Sequence, residues 1–187
     1  MTRKPLFAAV VLLSLALVGT ASAGRRSFNA STSNYTSNGK FGLGIELGTP
    51  AGLNGKLFLS PNRALNFGVG WLYDNYNYNR NGAGIHLYLD HLWHPFSISD
   101  NPTFKLPFYI GVGGALWSFR EYDDRRYPDR YTAVALRVPV GIAFDFNNIP
   151  LDVFIQLTAV VDVYFGDYRE RFGPGILGSV GARYWFD

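Results

Sequence analysis

The chain has 187 residues, among them 21 Gly, 12 Tyr, 15 Phe and 4 Trp, with no Cys and a formal charge of +3. The lack of cysteine excludes disulfides, thiolate metal sites, a thiol nucleophile and lipoprotein acylation, and so small a net charge gives no argument for nucleic acid. A chain half apolar, rich in glycine and aromatics and without a second long apolar run reads as all-β.

Residues 1–23 have the layout of a cleavable signal peptide. Arg3 and Lys4 form a positive start, residues 6–18 an apolar core too short to span a bilayer as a helix, and Ala21, Ser22 and Ala23 a small-x-small cleavage site. Arg3 and Lys4 are its only charged residues, so its removal takes the formal charge from +3 to +1. Residues 24–39 (GRRSFNASTSNYTSNG) are polar and without period, which predicts a flexible N-terminal lead.

Residues 40–187 alternate with a period of two, and they divide into eight expected strands. The first sets Phe41, Leu43, Ile45 and Leu47 against Gly42, Gly44, Glu46 and Gly48, and a tight turn at 49–52 leads to the second, which sets Leu53, Leu57 and Leu59 against Lys56. After a turn at 60–63, Leu65, Phe67, Val69, Trp71 and Tyr73 oppose Asn66, Gly68 and Gly70. A polar loop at 74–81 precedes the fourth strand, 82–93, with Ile85, Leu87 and Leu89 on one face and His86, Tyr88 and Asp90 on the other. A longer connection at 94–104 leads to the fifth strand, 105–119, and a charged loop at 120–130 to the sixth. There Val134, Leu136, Val138, Val140, Ile142, Phe144 and Phe146 alternate with Ala133, Ala135, Arg137, Gly141, Ala143 and Asp145. A turn at 147–150, a seventh strand to Val163, a polar loop at 166–173 and a closing strand at 175–186 complete the pattern.

The expected fold is an eight-stranded antiparallel up-and-down transmembrane β-barrel in a bacterial outer membrane, with both termini periplasmic. A soluble barrel with an apolar interior would share the alternation, so the composition of the second face decides. That face is mostly Gly and Ala, punctuated by Glu46, Lys56, Tyr88, Asp90, Arg137, Gln156, Asp162 and Arg183. Small residues suit strands curving around a narrow lumen that must hold a few long side chains. The apolar face carries almost no charge, as lipid demands when a midplane Lys or Arg costs about 2–4 kcal/mol. Trp71, Tyr73, Trp93, Trp117, Tyr164 and Trp185 lie near strand ends and are expected in interfacial girdles.

Inside such a barrel, Glu46 and Lys56 face each other across the first hairpin and are expected to form a buried ion pair. Arg137 and Arg183 need partners among Asp90, Asp145, Asp152 and Asp162. The lumen charge network is therefore Glu46, Lys56, Asp90, Arg137, Asp162 and Arg183, and a closed core is expected in preference to a conducting pore. No catalytic, cofactor or metal site emerges. His86 and Asp90 are too far apart on one strand to share an ion, His91 faces the opposite side, and Gly111, Gly113 and Gly114 lie within a strand with no helix after them. The His-x-Ser pair of lipid A deacylases is absent, because His86 is followed by Leu87 and Tyr88.

The closing strand carries Ser179, Gly181, Tyr184 and Phe186, which resemble the C-terminal signal read by the barrel-assembly machinery, although Asp187 follows the aromatic. The passages 44–53 (GIELGTPAGL), 87–94 (LYLDHLWH), 106–114 (LPFYIGVGG), 137–141 (RVPVG), 150–154 (PLDVF) and 181–186 (GARYWF) together resemble a family of small outer-membrane barrels classed as a domain of unknown function, the DUF3996 type. The resemblance implies an OmpA- or OmpX-like barrel, some members of which are proposed to bind host proteins through surface loops. It supplies no catalytic residue.

In this chain the external loops bring Tyr76, Tyr78, Arg80, Arg125, Arg126, Tyr127, Tyr168, Arg169 and Arg171. Tyr and Arg dominate binding hot spots, and Arg matches the phosphates of lipopolysaccharide. The expected role is that of a non-enzymatic surface-interaction barrel, with lipopolysaccharide or an envelope or extracellular protein as partner. A narrow channel is the alternative, and a lipid A-modifying enzyme a more distant one.

Overall fold

The computed structural model describes residues 35, 37, 39–73, 83–121, 129–165 and 172–186. Eight strands are formed: β1 (Phe41–Gly48), β2 (Ala51–Ser60), β3 (Arg63–Tyr73), β4 (Ala83–Asp100), β5 (Phe104–Glu121), β6 (Asp129–Phe146), β7 (Leu151–Phe165) and β8 (Phe172–Phe186). Each pairs antiparallel with the next, and β8 pairs with β1 from Phe41↔Phe186 to Gly48↔Ser179, closing the barrel. The all-β, eight-stranded up-and-down architecture expected from the alternation is the observed one.

The strands are staggered as they go round. The register runs from Phe41 to Leu57, Leu65, His91 and Val112, then through Val138, Ala159 and Ile176, and returns in line with position 51, ten residues along the chain. A stagger of this kind tilts strands by roughly 35–45° and sets a lumen that side chains can fill.

Three short turns, at 61–62, 101–103 and 147–150, share one end with the start of β1 and the end of β8, here called the terminal end. Two of them are joined there, since the Asn147 backbone N–H donates to the Thr103 carbonyl at 3.0 Å and its side chain to the Asn101 carbonyl at 2.8 Å. The opposite, loop end holds the turn at 49–50 and the ends of β3, β5 and β7. Gly48 has φ 114°, a conformation open to glycine and costly for a side chain, as the chain leaves β1.

The connection expected at 94–104 is replaced by strand. β4 continues to Asp100 and β5 begins at Phe104, leaving a turn as short as its neighbours. Pro95 lies within this strand, where β4 has no β3 partner beyond Trp93 and the ladder to β5 shifts register between Trp93 and Phe96. A proline without an N–H is tolerated at such a bulged, half-edge position.

The orientation of the faces follows β6. Arg137 is 0% exposed, whereas its neighbours Leu136 and Val138 are 54% and 38% exposed. Ile45, Leu53, Leu87, Leu89, Ile155, Leu157 and Ile176 continue the outward apolar belt. Two of the expected girdle residues turn the other way. Trp71 and Trp93 face out, but Trp117 and Trp185 are buried, because their positions share the inward parity of Ala115 and Arg183. Tyr73 and Tyr164 lie outside the described side chains.

Candidate functional site

Arg183 organises the middle of the lumen. Its partner Asp152 stands directly across the β7–β8 ladder. Nε donates to Oδ1 at 2.9 Å and Oδ2 at 3.2 Å, and Nη2 to Oδ2 at 2.9 Å. Nη1 crosses the lumen to the side-chain oxygens of Asn54 on β2 and Asn66 on β3, at 3.1 and 3.2 Å. The guanidinium also lies 4.2 Å over the Phe154 ring. Asn54 passes the network on, donating to Asn66 at 3.1 Å, to Glu46 and to the Tyr88 hydroxyl, which itself donates to Glu46. One connected set of bonds thus links β7, β8, β2, β3, β1 and β4 across the barrel.

Arg137 makes the second ion pair. Nε and Nη2 bind the two oxygens of Asp90 at 3.0 and 3.2 Å, and the guanidinium lies 4.2 Å over the Tyr88 ring. Among the described residues its Nη1 has no hydrogen-bond partner. The glycines of the inner face make room for these groups. A Cβ at Gly68 would overlap the Tyr88 ring, one at Gly113 the Asp90 carboxylate, one at Gly141 the Tyr109 ring and one at Gly181 the Phe154 ring.

The expected Glu46–Lys56 ion pair is not formed. Glu46 stands opposite Gly52 and Lys56 opposite Gly42, so the register separates them by four positions, about 13 Å of strand. Lys56 is fully buried towards the terminal end, where its ammonium lies 2.9 Å from His94 Nε2 and about 5 Å from the centroids of the Phe58 and Tyr109 rings. Its charge is met by aromatic faces and an imidazole nitrogen. Asp162 is half-buried further along β7, while Arg137 pairs with Asp90 and Arg183 with Asp152.

Part of the lead also enters the lumen, against the expectation of a flexible segment throughout 24–39. Tyr35 is 3% exposed and its hydroxyl donates to Asp145 Oδ2 at 2.9 Å. Its ring stacks on His94 with centroids 5.4 Å apart and leans on Phe58 at 5.7 Å. Burial, reinforced by the Asp145 charge, pushes the Tyr35 hydroxyl above its ordinary range, so it stays a proton donor.

The assembly-signal residues lie on β8, with Gly181 buried inward, Ser179 half-buried, and Tyr184 and Phe186 facing out edge to face at 5.2 Å. The loop candidates Tyr76, Tyr78, Arg80, Arg125, Arg126, Tyr127, Tyr168, Arg169 and Arg171 lie outside the described residues, as does the signal peptide at 1–23. Among the described residues no three of His, Asp and Glu gather as a metal set.

Sequence reasoning missed Asn54, His94, Tyr109 and Tyr35 as members of the network. Parity could have found three of them, Tyr109 because it shares the face of Gly111, Gly113 and Ala115. Asn54 shares the face of Lys56, and His94 continues the series His86, Tyr88, Asp90 once the strand is carried past Trp93. Nothing in an aperiodic lead marks Tyr35.

No family model matches the chain, so the resemblance noted above rests on its quoted passages alone, and no curated protein matches. Among solved structures the chain is similar to the N-terminal β-barrel domain of Pseudomonas aeruginosa OprF, at 15% identity and a TM-score of 0.49, covering 77% of this chain and 93% of that one.

Proposed function

We propose that this chain is a non-enzymatic outer-membrane barrel, exported on residues 1–23 and inserted by the barrel-assembly machinery, that holds Tyr- and Arg-rich loops at the cell surface against lipopolysaccharide or a protein partner. The observation that carries the membrane part is the division of the two faces. Two guanidiniums, an ammonium and their carboxylates are buried in the lumen, while Leu, Ile and Val fill the exposed belt. In water that belt would be a contiguous apolar surface far beyond what a soluble monomer shows. In hydrocarbon a closed barrel satisfies every ladder bond internally.

The lumen favours a scaffold over a channel. Bonds such as Arg183 to Asn66, Tyr88 to Glu46 and Tyr109 to Gln156 join strands that are not neighbours, and so they cross the path an ion would take. The surface role is supported by the loop sequences, since Arg pairs bidentately with phosphate and Tyr and Arg anchor interfaces.

Membrane fractionation tests the first part: the mature protein should co-sediment with outer membranes and migrate differently on a gel with and without boiling. Recovery as a soluble protein would overturn it. Planar-bilayer recording should show no steady conductance. Vesicles with and without lipopolysaccharide test the loops, and replacing Arg125, Arg126 and Tyr127 by Ala should abolish any preference for the former. Unchanged binding would remove the 122–128 loop from the proposal.

A further inference from the structure

We propose that the terminal end of the lumen is a binding site for a tyrosyl side chain, and that its occupant is Tyr35 of the chain's own N-terminal lead. The proposal goes beyond the surface role, because it concerns the opposite end of the barrel and stands whether or not the loops bind anything.

The site has the parts that phenol recognition requires. Its walls are aromatic: His94 stacks on the Tyr35 ring at an interplanar angle of 14°, Phe58 leans on it, and Trp185 packs behind Phe58 at 5.7 Å. Its floor is a buried carboxylate, Asp145, which accepts a hydrogen bond from the hydroxyl at 2.9 Å. An ionised carboxylate has only acceptor positions, so it selects a ring that carries a donor over one that does not. A phenylalanine in the same seat would leave a buried acceptor short of a partner.

The approach of the lead fits the site as well. Between Tyr35 and β1 the Ser37 hydroxyl donates to the Gly39 carbonyl at 2.6 Å, and the Phe58 N–H donates to the Lys40 carbonyl at 2.8 Å. At Gly39 the backbone passes directly over the Trp185 side chain, where an added Cβ would sit 2.8 Å from Trp185 Cβ. The lead therefore enters through a gap that admits only glycine without displacement. Once seated, Tyr35 covers the imidazole that receives the Lys56 hydrogen bond, and it completes the aromatic lining around that ammonium.

Nitration with tetranitromethane reads the seat directly. Tyr35 is the sole tyrosine in the tryptic peptide 27–40, so mass spectrometry after digestion reports its modification alone. In the folded detergent-solubilised protein Tyr35 should react at least about tenfold more slowly than in the urea-unfolded chain, as expected for a group that reacts only through local opening. Asp145→Leu and Gly39→Val should each remove that protection. Equal rates in the folded and unfolded wild-type protein would overturn the proposal, and full protection retained in Asp145→Leu would overturn the assigned phenol–carboxylate contact. Should either variant fail to fold, Tyr35→Ala supplies the second test. Its vacated seat should bind 4-fluorophenol saturably by fluorine NMR, whereas the wild-type barrel and the probe 4-fluorotoluene should show no saturable binding. Identical behaviour of Tyr35→Ala and wild type towards 4-fluorophenol would sink the idea.

Discussion

Arg183 and Lys56 are both fully buried cations in one lumen, and they are held in opposite ways. Arg183 has a dedicated carboxylate across the ladder and uses its remaining N–H groups on two asparagines. Among the described residues Lys56 bonds to no carboxylate, and its ammonium rests among Phe58, Tyr109 and His94. The difference follows from the donors. A planar guanidinium satisfies a carboxylate through two parallel bonds, which offsets the cost of removing both charges from water. A compact ammonium can be met by ring faces worth about 0.5–2 kcal/mol each. Arg183 therefore stitches strands together, whereas Lys56 fills an aromatic chamber.

The sharpest way to break this comparison is to remove one member of the Arg183 pair. Asp152→Ala should cost about 3–5 kcal/mol in urea unfolding followed by tryptophan fluorescence, because it strands a buried guanidinium. The double replacement Asp152→Leu with Arg183→Met should recover most of that loss, since no charge is then left unpaired. A middle effect is expected at the junction of the two arginine sites. Tyr88→Phe deprives Glu46 of a donor while keeping the ring beneath Arg137, and should cost about 1–3 kcal/mol. The smallest effect should come from Lys56→Met, within about 1 kcal/mol of wild type, because it leaves no carboxylate orphaned. A loss at Lys56 as large as that at Asp152 would show that the aromatic chamber depends on its charge, and the contrast would fail.

Much of the barrel was legible because period-two alternation reports directly which side of a sheet a residue occupies. Arg137 between Leu136 and Val138 could be placed in the lumen from three consecutive letters, and its pairing narrowed to four aspartates, of which Asp90 is the one used. The failures have a common cause in quantities that a linear pattern does not carry. Register decided that Glu46 meets Tyr88 and Asn54 while Lys56 sits four positions away. Strand pairing decided that Pro95 is harmless, because β4 lacks a β3 neighbour there. Trp117 and Trp185 were read by their nearness to strand ends, although their parity already pointed inward. The Tyr35 contact joins positions 110 residues apart and follows no local rule.

The seam between β1 and β8 has a consequence for how such a chain must be built. The first and last strands of the barrel are each other's neighbours, from Phe41↔Phe186 to Gly48↔Ser179. Until the final fifteen residues of strand are laid down, both margins of the sheet hold open rows of N–H and C=O groups that hydrocarbon cannot solvate. A chain ending before Phe172 is left with two raw edges and no means of joining them. On the membrane reading proposed above, β8 must therefore be made and paired with β1 before the barrel can leave water.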